Sequence, residues 1–113
     1  MAVTIEDARA VVAPLPRSHE ALVHDQVRFR TDRLVYAAFY GDDTIMGVAF
    51  PREEREALVE SEPDKFLMPR PGEMRYRWVH VRLEALDLDE LRELLVDAWR
   101  MCVPKEVSAA YDG

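Results

Sequence analysis

The sequence predicts an α+β domain of two layers, in which helices pack on one face of an antiparallel β-sheet. Three observations lead to this prediction: a capped helical segment opens the chain, a run of short strand-like segments with turn signals follows, and a long amphipathic helix lies near the end. Because hairpin-length connections join neighbouring strand segments, we expect these to pair antiparallel, with the helices covering one face of the sheet.

The first half of the chain reads as one helix and a three-stranded meander. Thr4 followed three residues later by Asp7 is a capping-box pattern, and Pro14 stops the helix that it predicts. From Val27 onward apolar and polar residues alternate, and two segments rich in β-branched and aromatic residues follow. The predicted elements are a helix over 5–13 and strands that begin at Val27 and cover 34–40 and 45–50.

The second half reads as two longer helices around a strand. A helix is expected to begin after Pro51 and to bury Ala57 and Leu58. Asp87 with Glu90 forms a second capping box, and the apolar residues beyond it recur at three-to-four spacing, which is typical of a core helix. The predicted elements are a helix over 52–61, a short strand over 66–68, a loop over 69–73, a strand over 78–83, a helix over 88–103 and a further helical turn over 105–110. The sheet should have four to six strands.

Length and composition favour one domain over residues 1–113. The chain is 49% hydrophobic and has one cysteine, Cys102, so no internal disulfide can form, which suits a reducing compartment. The longest apolar run has seven residues, whereas a membrane span needs about 18. Glu6 and Asp7 also lie where a signal peptide would be basic. We therefore expect a cytoplasmic protein that does not enter a membrane.

The charge is acidic overall but unevenly distributed. The net charge of -7 comes from 15 Lys and Arg residues against 22 Asp and Glu residues, and it disfavours tight binding to a polyanion. Residues 65–82 reverse this balance, with five basic residues against Glu73 alone. Any DNA binding is therefore expected to be weak and salt-sensitive, and to use this basic stretch.

One surface has a binding mechanism behind it. If the apolar residues of the alternating strands face the helices, their arginine, histidine and aromatic neighbours gather on the opposite, open face. Arginine contacts phosphate, and aromatic rings stack on unpaired bases. The same residues could instead stabilise the sheet by cross-strand pairing, or bury themselves in a homodimer or a protein partner. The candidate nucleic-acid or partner surface is Arg28, Arg30, Tyr36, Tyr40, Arg70, Arg75, Arg77, Trp78, His80 and Arg82.

Catalytic, metal and cofactor sites are not predicted. The histidines and Cys102 show none of the spacings that zinc sites use, and the glycines do not form a phosphate-binding loop. No nucleophile lies beside a candidate base, so we predict that the protein is not an enzyme. An enzymatic site would have to bring together distant residues such as His24, Glu73 and His80.

Three segments carry a family resemblance, namely Phe50–Arg55, Arg75–Val79 and Asp97–Lys105. In order and spacing they resemble the MmcQ/YjbR family, and the resemblance runs from Thr4 to Tyr111. It implies a small α/β domain with an antiparallel sheet, similar in architecture to type III secretion chaperones and described as a double-wing DNA-binding fold. The function that it implies is weak DNA binding without enzymatic activity or a cofactor. A protein-interaction or homodimerisation module is the alternative.

Overall fold

The computed structural model describes residues 3–32 and 34–111 and shows a six-stranded antiparallel sheet. Its strand order is β1-β2-β3-β4-β6-β5, and every neighbouring pair is antiparallel. The predicted fold class is therefore confirmed. The strands are β1 His19–Val23, β2 Gln26–Arg30, β3 Val35–Tyr40, β4 Ile45–Ala49, β5 Phe66–Leu67 and β6 Trp78–Arg82.

Four α-helices occur among the described residues, close to the predicted positions. They are α1 Ile5–Val12, α2 Arg52–Ser61, α3 Leu88–Arg100 and α4 Lys105–Ala110, with 3₁₀ turns at Pro71–Glu73 and Leu83–Ala85. Both predicted capping boxes are present, at the starts of α1 and α3. α3 ends at Arg100 rather than Val103, because Pro104 disfavours helical backbone in the residue before it. Within the described ranges, no helix is both long and apolar enough to span a bilayer.

The first strand, β1, is the element that the sequence analysis did not assign. It forms a hairpin with β2 through His24 and Asp25, whose φ angles are 51° and 65°. Two adjacent residues with positive φ are typical of the tight type I′ turn. Such turns favour Asn-Gly or Asp-Gly, so the His-Asp pair gave no turn signal. β1 is also the outer strand of the sheet and alternates poorly.

The core lies between one face of the sheet and the helices. Val27, Phe29, Val79 and Val81 point into it, as the alternation predicted. α3 covers the middle of this face, and its Leu91, Leu95 and Trp99 side chains are fully buried. The Trp99 indole Nε1 donates a 2.8 Å hydrogen bond to the carbonyl of Pro16, which gives the buried ring a polar partner.

A β-bulge interrupts the alternation of β3. Phe29 pairs with Ala37 whereas Arg30 pairs with Val35, so Tyr36 is an extra residue opposite β2. One inserted residue reverses the face to which all earlier residues of a strand point. Tyr36 therefore points into the core beside Ala37, and Val35 turns to the open face.

The prediction that Tyr36 belongs to the open face is thus wrong. Its side chain has no exposed area, and its hydroxyl shares a 2.6 Å hydrogen bond with the Ser18 hydroxyl. Burial raises the pKa of Tyr36 to about 12, because the phenolate would lose its hydration. Tyr36 is a core residue.

We predict that truncating α3 inside the core is costly. Leu95→Ala should lower the free energy of unfolding by about 2 to 5 kcal/mol, because it leaves a cavity beneath the sheet. Leu88→Ala is the matched control, since Leu88 lies on the same helix and is 57% exposed. Urea denaturation measures both changes. Equal stability of the two variants would show that α3 does not anchor the core.

Candidate functional site

The open face of the sheet has a shallow floor at its centre. The strand register places Arg28, Ala38, Gly47 and His80 side by side on β2, β3, β4 and β6. Ala38 and Gly47 have little or no side chain, so the surface is low between the two larger residues. This row therefore leaves room above Ala38 and Gly47 for the side chains of neighbouring residues.

Two aromatic rings meet over Gly47. Tyr40 and His80 stack with ring centroids 5.2 Å apart and an interplanar angle of 25°. A Cβ atom at Gly47 would lie 3.0 Å from Cε2 of Tyr40 and 3.3 Å from Cδ2 of His80. Any side chain at this position would push the rings apart, so glycine allows the stack to form.

The segment 70–77, which connects β5 to β6, closes this face on one side. Two cavities lie between the segment and the sheet, and we call them together the cleft. Arg28, Tyr40, Glu73 and His80 line both cavities. One cavity, of about 290 Å³, is also lined by Tyr76 and Trp78, and we call it the Trp78 side. The other, of about 460 Å³, is also lined by Gln26 and Arg70, and we call it the Arg70 side.

A buried arginine of α2 holds this segment in place. Nη1 of Arg55 donates to the carbonyls of Tyr76 and Trp78, and Nη2 donates to the carbonyl of Met74, each at 2.9 Å. Arg55 is 5% exposed, and Arg52 adds a 2.9 Å bond to the carbonyl of Arg75. The backbone carbonyls of the segment thus turn towards α2.

The expectation that α2 buries Ala57 is wrong, since Ala57 is exposed and Leu58 is half-buried. Arg55 occupies the buried position instead. Arginine is rarely buried, and the apolar pattern of α2 gave no reason to expect it here. The three carbonyls that need donors lie about twenty residues further along the chain, beyond the reach of a local sequence pattern.

Two oppositely charged groups of the cleft lack ionic partners among the described residues. Nε of Arg28 is buried without a hydrogen bond, although one of its Nη atoms lies 3.4 Å from the side-chain oxygen of Gln26. Among residues 3–32 and 34–111, no cation lies within 4.0 Å of the Glu73 carboxylate. Arg28 and Glu73 therefore line the same cavities without pairing with each other.

The stacked rings are neutral at pH 7. Burial lowers the pKa of His80, and the positive charge of Arg70 adds to this, whereas Glu73 acts in the opposite direction. Burial also raises the pKa of Tyr40. Neutral, flat rings suit stacking against another neutral ring system.

The structure brings five predicted site residues to the cleft and separates the others. Arg28, Tyr40, Arg70, Trp78 and His80 line it. Gln26 and Tyr76 were not predicted as site residues, and Glu73 was named only as part of a possible enzymatic site. Their signal is weak, because they join the cleft through the fold of segment 70–77 and the register of β2.

The remaining predicted arginines lie around the cleft rather than in it. Arg75 is exposed and stacks over the Tyr76 ring at 4.7 Å. Arg30 and Arg82 each donate to nearby backbone carbonyls, which ties their guanidinium groups to the edges of the face. Arg77 is exposed and lines a separate cavity of about 250 Å³ that also contains Leu34 and Cys102.

Metal-ligating and thiol chemistry find little support in the described part of the chain. No group of three or more His, Cys, Asp or Glu side chains there could hold a metal ion. Burial raises the pKa of the Cys102 thiol to about 11, so the thiol is protonated at pH 7. Cys102 packs against the core rather than acting as an activated nucleophile.

These features define a small α+β domain whose antiparallel sheet carries helices on one face and a cleft on the other. The sequence model of the YjbR family matches residues 13–101, which is most of the chain. The chain therefore belongs to the YjbR family, as its resemblance implied.

One solved structure shows the same fold. The chain is similar to the Deinococcus radiodurans protein DR2400, described as a DUF419 domain, with a TM-score of 0.74 and 24% sequence identity. The similarity covers 87% of this chain and 77% of that chain. Comparison with curated proteins gives no match.

We predict that Arg55 is needed to hold segment 70–77. Arg55→Met should lower the free energy of unfolding by about 3 kcal/mol or more, because three carbonyls lose their shared buried donor together. Arg52→Met is the control and should cost about 1 kcal/mol, since it removes one exposed bond. Urea denaturation measures stability, and amide exchange over 74–78 reports local opening. Unchanged exchange in Arg55→Met would contradict this role.

We also predict opposite shifts in the pKa of His80 from two neighbours. Glu73→Gln should lower that pKa further, because it removes a negative charge that favours the imidazolium. Arg70→Gln should raise it, because it removes a positive charge. Titration of the His80 ring by NMR measures both variants. Shifts in the same direction would show that these groups do not surround His80 as described.

Proposed function

We propose that this YjbR domain is a non-enzymatic binding domain whose ligand is single-stranded DNA. The observation that carries this proposal is the composition of the cleft, whose two cavities are lined by the rings of Tyr40, Trp78 and His80 and by Arg28 and Arg70. Rings that stack on bases beside arginines that contact phosphates are the usual components of single-strand binding. A DNA ligand also implies a cytoplasmic protein, which agrees with the lone Cys102.

The shape of the cleft favours a single strand over a duplex. Its two cavities are concave and small enough to take individual ring systems, whereas the bases of a duplex stay stacked on one another. The rings that line the Trp78 side could reach a base only when that base is unpaired. A single strand can present its bases to the sheet and its phosphates to the arginines.

The charge distribution sets the strength and direction of binding. The net charge of -7 opposes a polyanion, so we expect micromolar or weaker affinity near physiological salt. The acidic helix α3 lies on the opposite layer, away from the cleft. Repulsion from α3 would turn an approaching strand towards segment 70–77, where Arg70, Arg75 and Arg77 are exposed.

Non-enzymatic action is supported by the residues that line the cleft. The fold does bring Glu73 and His80 to the same cavities, a meeting that an enzymatic site would have required. No Ser, Thr or Cys of the described ranges lines either cavity, so the cleft lacks these usual nucleophiles of acyl transfer. Binding without turnover is the simpler role for this arrangement.

A protein-interaction or homodimerisation surface is the second candidate. It is supported by the cavity of about 250 Å³ beside the cleft, which Leu34, Tyr76 and Met101 line. Leu34 is 53% exposed and Tyr76 is 45% exposed, which is unusual for large apolar side chains. Burial of apolar surface responds weakly to salt, so the salt dependence of binding separates the two candidates.

We predict that exposed arginines of segment 70–77 carry the salt-dependent part of DNA binding. Arg75→Ser with Arg77→Ser should weaken binding to a labelled thymidine decamer and flatten the plot of log affinity against log salt by about 0.7 per lost phosphate contact. Arg92→Ser with Lys105→Ser is the control, because it removes the same charge from exposed positions on α3 and α4. Fluorescence anisotropy at several salt concentrations measures both.

Equal losses in the two double variants would show that binding follows net charge rather than this segment. If the wild-type protein self-associates in a salt-independent manner and binds no decamer, the protein-interaction candidate replaces DNA binding. Light scattering on the same samples gives the oligomeric state.

A further inference from the structure

The Arg28 and Glu73 side chains, which have no ionic partner among the described residues, determine which hydrogen-bonding groups a ligand needs. Arg28 and Glu73 line both cavities, and neither has an ionic partner among the described residues. A ligand that satisfies both must carry acceptors on one edge and donors on another. A phosphate offers acceptors alone and would be repelled by Glu73.

The Trp78 side adds a requirement for a flat ring. It is bordered by the stacked Tyr40 and His80 rings, by Tyr76 and by Trp78, and it holds about 290 Å³. This volume is at the small end of ligand pockets and suits one heterocycle. His80 is neutral at pH 7, so its ring can lie against an uncharged base.

Among the nucleic-acid bases, guanine meets both requirements. It carries the acceptors O6 and N7 on its Hoogsteen edge, which arginine contacts in DNA complexes, and the donors N1–H and N2–H₂ on its Watson–Crick edge. A carboxylate can accept from both donors at once. Adenine and cytosine place a ring-nitrogen acceptor beside their amino group, and thymine has one N–H between two carbonyls, so each would set a lone pair against Glu73.

We propose that the cleft is a subsite for one unpaired guanine, with Arg28 donating to its O6 and N7 edge and Glu73 accepting from its N1–H and N2–H₂ edge. This inference rests on the proposed function, since the guanine belongs to a bound single strand. Arg70 is exposed where it borders the cleft, so it can contact the adjoining phosphate from the protein surface. Arg70 therefore contributes affinity, and Glu73 contributes the choice of base.

The test compares labelled decamers at one low salt concentration by fluorescence anisotropy. The parent is a thymidine decamer, and three others carry one central deoxyguanosine, deoxyadenosine or deoxyinosine. The wild-type protein should bind the deoxyguanosine decamer about tenfold more tightly than the parent. Deoxyinosine, which lacks the N2 amino group, should give a smaller gain, and deoxyadenosine should give none.

Two variants assign the effect to Glu73. Glu73→Gln should bind the deoxyguanosine decamer no more tightly than it binds the parent decamer, because the acceptor for N1–H and N2–H₂ has lost its charge. Glu93→Gln removes the same charge from an exposed position on α3 and should keep the preference. Binding of the parent without a guanine preference, or a preference that survives Glu73→Gln, would overturn the guanine subsite while leaving the proposed function in place. Failure of every decamer to bind would overturn the proposed function as well.

Discussion

The geometry of the open face depends on one buried guanidinium group. Arg55 donates to the carbonyls of Met74 and Tyr76 in segment 70–77 and to that of Trp78 at the start of β6, each at 2.9 Å, and these bonds fix the path of the chain between β5 and β6. Because the carbonyls turn towards α2, the segment stands beside the sheet and completes the cleft with Glu73 and Tyr76. Arg52 and the backbone N–H of Phe50 each add one 2.9 Å bond to this segment, at the carbonyls of Arg75 and Arg77. Arg55 supplies the largest set of hydrogen bonds from one side chain to this part of the chain.

Much of the fold could be predicted because its determinants are local. Capping boxes, proline stops and helical spacing placed the four helices within a few residues of their positions. β1 was missed because its turn lacks glycine or asparagine, and Tyr36 was placed on the wrong face because a bulge reverses the parity of β3. Bulges depend on how two strands pair, and a single strand pattern does not contain that information.

Part of the site could be predicted as well, because the alternation of residues along a strand is also a local signal. Alternation along β2 and β6 correctly placed Arg28, Trp78 and His80 on the face away from the helices. The cleft itself could not be predicted, because it requires the approach of segment 70–77 to the sheet. That approach depends on Arg55, whose charge indicated a solvent-exposed residue. Arg55 therefore organises the site, although its charge is typical of a surface residue.

The free edge of β1 has a consequence for solubility. An outer strand presents backbone N–H and C=O groups that can pair with another chain and start aggregation, and Leu22 on this strand is 70% exposed. Glu20, on the same strand, is held by the Arg9 guanidinium of α1 at 2.9 Å. This ion pair fixes a charged group on the outer strand, and charged side chains on an edge strand disfavour the addition of another strand. Through Arg9, α1 therefore contributes to the charge that keeps this edge from pairing.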